Sequence, residues 1–67
     1  MDQIKIGKFI AACRKEKNLT QKKLAERLGI SDRTISKWES GRGLPDASNM
    51  LDLCNELGIN VNELLSG

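Results

Sequence analysis

Apolar residues recur every three or four positions along most of the chain, and no stretch alternates with period two over the length of a strand. That spacing belongs to helices that bury one face. Five such segments separate, each opened by its own start signal. The first is predicted over residues 3 to 17, with Asp2 as N-cap and Ile6, Phe9, Ile10 and Cys13 as its buried stripe. Gly7 falls inside it at a cost of about 1 kcal/mol against Ala, so this turn either frays or lies close to a neighbour. The second helix opens at Thr20, is stapled by Leu19 and Leu24, buries Leu24, Ala25 and Leu28, and stops at Gly29. Ser31 caps the third, residues 32 to 40, with Ile30 and Ile35 as staple and Gly41 just past its end. A loop over residues 41–45 holds the only proline, Pro45. The fourth helix starts at Asp46, runs over Met50, Leu53, Cys54 and Leu57, and ends at Gly58. Asn60 and Glu63 form a capping box for a short fifth helix, with Ile59 and Leu64 as staple.

Sixty-seven residues allow one small domain over 1–67, which can also be the N-terminal domain of something longer. A chain this short buries only about 60% of its unfolded surface, so its stability margin is small. No apolar run approaches a membrane span and no signal peptide precedes the first helix. A cytoplasmic, nucleoid-associated location without membrane contact is the resulting expectation. With no His and only Cys13 and Cys54, the chain cannot assemble an ordinary structural zinc site. Both cysteines fall on apolar stripes and read as buried thiols. No catalytic set, metal site or cofactor site is expected.

Charge changes the picture more. All 11 Lys and Arg lie between Lys5 and Arg42. Residues 1–45 also carry five acids, Asp2, Glu16, Glu26, Asp32 and Glu39, for a net +6. Residues 46–67 carry four acids and no base, a net −4. Such polarity suits a polyanion on one side only. On a wheel of about 100° per residue, the third helix turns Ile35 and Trp38 inward. Ser36, Ser40 and Arg33 lie opposite, Asp32 and Lys37 sit at the margins, and Thr34 borders the core. Trp38 reads as core rather than as a ring stacking on bases. Small hydroxyls and two long cations on a helix held from behind are what a DNA major groove admits.

The residues Arg14, Leu19-Thr20-Gln21, Leu24-Ala25, Leu28-Gly29-Ile30-Ser31, Thr34-Ile35-Ser36-Lys37-Trp38-Glu39-Ser40-Gly41 and Pro45 together resemble the helix-turn-helix domains of phage Cro and repressor proteins, the XRE family. The likeness continues through Leu57-Gly58-Ile59 and Glu63-Leu64-Leu65 and covers nearly the whole chain. It implies an all-α, compact five-helix lambda-repressor-like domain with the helix-turn-helix at helices 2 and 3. It further implies that Asp32, Arg33, Lys37 and Ser36 face the groove and its base edges. Gln21, Ser31, Thr34, Ser40 and Arg42 would face phosphates, and Arg14 would pair with Glu39. For Asp32, holding Arg33 or favouring the helix N-terminus ranks above direct readout of cytosine.

The expected function is therefore sequence-specific binding of double-stranded DNA by a transcriptional regulator, most simply a repressor. A palindromic operator and a homodimer on DNA follow from the same resemblance, with Val61, Leu64 and Leu65 as a candidate dimer surface and Leu64 preferred as core. A second reading stays open: a protein-interaction module, antitoxin or adaptor, using the acidic C-terminal third.

Overall fold

Five helices form in the order that the periodicity predicts: α1 Gln3–Glu16, α2 Gln21–Leu28, α3 Asp32–Glu39, α4 Ala47–Leu57 and α5 Val61–Ser66. The structure is a computed structural model and describes residues 2–66. Each start is closed by the side chain expected there. Asp2 accepts from the amides of Ile4 and Lys5, Thr20 from Lys23, Ser31 from Thr34 and Asp46 from Asn49. Asn60 and Glu63 exchange both capping-box bonds, at 2.7 and 3.0 Å. Unpaired amides at five helix starts thus find acceptors within their own sequence neighbourhood.

Two boundaries differ, each by one residue: α3 ends at Glu39, with Ser40 as its C-cap, rather than at residue 40. α1 stops at Glu16, one residue short of the predicted end, because Asn18 turns into the left-handed region at φ 59°. Its N–H returns to the Lys15 carbonyl and that of Leu19 to the Arg14 carbonyl. Asn tolerates this conformation better than most residues other than glycine. Between α2 and α3 the same device uses Gly29 at φ 69°, with Ile30 N–H bonded back to the Ala25 carbonyl. The sharp turn sets α3 across α2.

The core is made by all five helices: Ile6 and Ile10, Leu24 and Ala25, Ile35 and Trp38, Leu53, Cys54 and Leu57, and Leu64. α1 packs on α3 and α5, α2 on α3 and α4, and α4 on α5. Leu64 is fully buried, so it belongs to the core, whereas Val61 and Leu65 are only half-buried against it. Phe9 and Cys13 lie on the flank of the α1 stripe and are likewise half-buried. Among the described residues, no helix is long and apolar enough to cross a membrane.

Gly7 resolves the ambiguity it carries in the sequence. It is buried, and a Cβ added there would stand 2.8 Å from the Glu39 carbonyl oxygen and closer still to that of Trp38. α1 therefore touches the end of α3 backbone to backbone.

Both thiols are free. Burial pushes the Cys54 thiol up, helped by the Glu63 carboxylate. Cys13 is raised by burial first, then by Glu16, Glu63 and Cys54. A raised folded pKa favours the neutral thiol, so this contribution to stability is complete below the ordinary thiol value of about 8.5 and is lost as pH rises through the folded one. Attack on a disulfide reagent needs thiolate and access together. Cys54 in the native protein should accordingly react more than about tenfold slower with an aromatic disulfide than in urea-unfolded chain. Equal rates in the two states would show that the thiol is open.

Candidate nucleic-acid interface

α3 offers a short, stiff rod, about 12 Å long at ~1.5 Å per residue. Ile35 and Trp38 are buried to 0% and 4% exposure and anchor its inner side. Arg33 and Lys37 are exposed, and neither has an ion-pair partner among the described residues. Ser36 is half-buried on the same side of the helix, and Asp32 is exposed in the first turn. Asp32 makes no ion pair with Arg33, because successive helical side chains diverge by about 100°. Its position suits the positive end of the helix dipole instead.

The Lys37 stem has a feature that its own helix does not reveal. Its Cε lies 3.2 Å from where a Gly43 side chain would begin, so the lysine runs over the loop that follows α3. A bulkier residue at position 43 would have to push that stem aside.

Residues expected at phosphates collect around both ends of α3 and the start of α2. Ser31 and Thr34 share a hydrogen bond between their hydroxyls at 3.1 Å, while Ser31 Oγ also accepts from the Thr34 amide. Two hydroxyl protons with one used between them leave one for an outside acceptor. Ser40 Oγ donates to the Lys37 carbonyl and accepts from Arg42 Nε at 2.9 Å. Its proton is spent inside the protein, and what it does is orient Arg42, whose two terminal nitrogens have no acceptor among the described residues. The main-chain amides of Gln21 and Lys22 have no protein acceptor among the described residues.

Behind this surface, Arg14 and Glu39 form the ion pair that was expected. Arg14 Nε donates to Glu39 Oε2 at 2.7 Å and Nη2 to Oε1 at 3.0 Å, with side-chain exposures of 11% and 7%. The hydrogen bonds to Glu39 raise the guanidinium's already high proton affinity, against burial, which lowers it. Two further bonds were not anticipated. Arg14 Nη1 donates to the Leu19 carbonyl at 2.7 Å, and Gln21 Nε2 donates to Glu39 Oε1 at 2.9 Å. The Gln21 side chain is thus partly committed to the protein, 18 residues away along the chain, where no local pattern could announce it.

Among the described residues, the charge asymmetry is bridged at one point, where Arg27 on α2 reaches Glu56 on α4 at 3.3 Å. Both ends are substantially exposed, so this pair contributes little to stability.

A family model described as "Helix-turn-helix domain" matches residues 7–67. The HTH-type transcriptional activator BcrR of Enterococcus faecalis is 47% identical over 76% of this chain and 25% of its own length. The cryptic phage CTXphi transcriptional repressor RstR of Vibrio cholerae is 39% identical over 91% of this chain and 54% of its own. The chain therefore spans between a quarter and about half of these curated relatives. Among solved structures, the P22 c2 repressor protein in complex with a synthetic operator superposes with a TM-score of 0.85 at 32% identity, covering 88% of this chain and 89% of that one.

Proposed function

This chain belongs to the helix-turn-helix domain family, and from that premise we propose that it is a sequence-specific regulator of transcription that reads the major groove of double-stranded DNA with α3. The observation that carries the reading is the division of α3. Ile35 and Trp38 fasten one side, while Arg33 and Lys37 stand on the other without an ion-pair partner among the described residues. Both cations suit guanine O6 and N7, with Ser36 beside them, and Asp32 favours the helix start. Gln21, the hydroxyl pair Ser31–Thr34, and Arg42 held by Ser40 surround that face as phosphate contacts.

Regulation by blocking promoter access needs nothing beyond this binding, and repression is the action we assign. The chain's greatest extent is 26 Å, less than the roughly 34 Å between half-sites one helical turn apart. A palindromic operator thus calls for two copies, and a homodimer on DNA is part of the proposal. The alternative of an antitoxin or adaptor module is not favoured, since the relatives named above are transcriptional regulators.

The test begins with a duplex selected from a random pool by the protein itself, followed by titration at several salt concentrations. Arg33→Ala and Lys37→Ala are expected to lower affinity for that duplex by about 5- to 150-fold each, from ~1–3 kcal/mol per base contact, and to relax preference at one base position. Wild-type affinity should fall steeply with salt, because neutralising phosphates releases counterions. Binding that ignores both sequence and salt would sink the reading. So would an Arg33→Ala, Lys37→Ala variant that stays folded and binds the selected duplex as well as wild type.

A further inference from the structure

We infer that Glu39 is a positioning residue for phosphate binding, holding the Gln21 amide so that its remaining N–H and the free main-chain amides at the start of α2 form one preset cradle. The inference rests on the DNA-binding reading above and adds to it a residue that touches no DNA.

The carboxylate of Glu39 is almost enclosed, at 7% exposure, so it cannot reach a phosphate itself. It accepts three bonds: two from Arg14 and one from Gln21 Nε2. A primary amide nitrogen carries two N–H groups. With one given to Glu39, the other has no protein acceptor among the described residues. The bond also decides which way the amide faces. Turning Oε1 toward the carboxylate would set two acceptors against each other, so the network fixes nitrogen there. A freely turning amide would present Oε1, which repels phosphate, as readily as it presents Nε2.

Ordering a glutamine side chain costs rotamer freedom, and the bond to Glu39 orders it before DNA arrives. Ordinarily a carboxylate beside a phosphate site would oppose binding. Here the paired Arg14 guanidinium cancels its charge. Thr20 Oγ1 takes the Lys23 amide and leaves those of Gln21 and Lys22 without an acceptor among the described residues, so one helix start holds three N–H donors not used within the protein.

The experiment uses the selected duplex with single phosphates replaced in turn by uncharged methylphosphonate. In wild type, one replacement should weaken binding measurably. That effect should vanish in Gln21→Ala, and equally in Glu39→Gln, measured at a temperature where circular dichroism shows the variants folded. Gln21→Ala should bind about tenfold more weakly than wild type and Glu39→Gln at least as weakly, with the double variant no weaker than Glu39→Gln alone, since without Glu39 the Gln21 contact is already lost. A merely structural Glu39 would shift the melting temperature yet leave the methylphosphonate effect intact. Independent losses multiplying to about a hundredfold would overturn the inference while leaving the DNA-binding reading standing. Failure of wild type to select or bind any duplex would overturn both. Should Glu39→Gln not fold, the side-chain amide of Gln21 in wild type decides. One of its two proton resonances is expected to be shifted downfield and slow to exchange with solvent in the free protein, and a pair with the shifts and exchange rates of a fully solvated glutamine would refute the inference.

Discussion

Gly7→Ala should lower the thermal midpoint by roughly 12–24 °C, the equivalent of a loss of about 3 kcal/mol in a domain of this size. Helix propensity alone predicts the opposite, since alanine is favoured over glycine by about 1 kcal/mol inside a helix. The local geometry overrides it. An added Cβ would stand 2.8 and 2.9 Å from the Glu39 carbonyl oxygen and carbon, with the Trp38 oxygen nearer still. None of these atoms is the tip of a flexible side chain, so relief requires moving α1 away from α3. That motion would loosen Ile6 and Ile10 against Ile35 and Trp38. Against a total stability of about 3–10 kcal/mol for 67 residues at 0.05–0.15 per residue, the loss is a large share. Gly43→Ala is the control: the atoms nearest its Cβ would all belong to the Lys37 stem, which can shift, so its stability should stay within about 0.5 kcal/mol of wild type. A thermal melt followed by circular dichroism checks both, and a Gly7→Ala midpoint at or above wild type would show that the helices have room to spare.

Gly7 also marks the limit of what residue order can reveal. Caps at Asp2, Thr20, Ser31, Asp46 and Asn60 are local chemistry, each closing a bond two or three residues away, and all five can be read from spacing. The buried members of the core, from Ile6 to Leu64, follow from period alone. Whether Gly7 marks a frayed turn or a close crossing depends on what α3 does 31 residues later, which no local pattern encodes. The Gln21–Glu39 bond and the Lys37 stem over Gly43 are legible only once the loops have folded back. Ser40 shows the same limit on a smaller scale. Its place on the exposed face was readable, but not that its proton is spent on the Lys37 carbonyl. Sequence thus located the candidate surface, and tertiary contacts decided which donors on it remain free.

A double-mutant cycle at Arg14 and Glu39 is expected to return a coupling of at least about 2 kcal/mol, with each single alanine costing about 3 kcal/mol. The asymmetry comes from burial. With side chains 11% and 7% exposed, removing Glu39 leaves a guanidinium with one acceptor, the Leu19 carbonyl, and little water. Removing Arg14 leaves a nearly enclosed carboxylate whose remaining donor among the described residues is the Gln21 amide. Removing both deletes the charges that were costly to bury, so the pair should be worth less than the two single losses combined. Because Arg14 is raised by its bonds to Glu39, the arginine side of this stability is complete below the ordinary arginine value. It is lost only as pH rises through a still higher one, so moderate alkali should leave it untouched. Urea melts of the four proteins measure the cycle, and additive losses would mean that the pair contributes nothing as a pair. The consequence for function lies in where the pair sits. It joins α1 to the last residue of α3, beside the Gly7 crossing, so loss of one partner frees the end of the helix that carries Arg33 and Lys37. Affinity for a selected duplex should then fall in the single variants even at temperatures where they remain folded, because a recognition helix free to shift must be ordered again each time it binds.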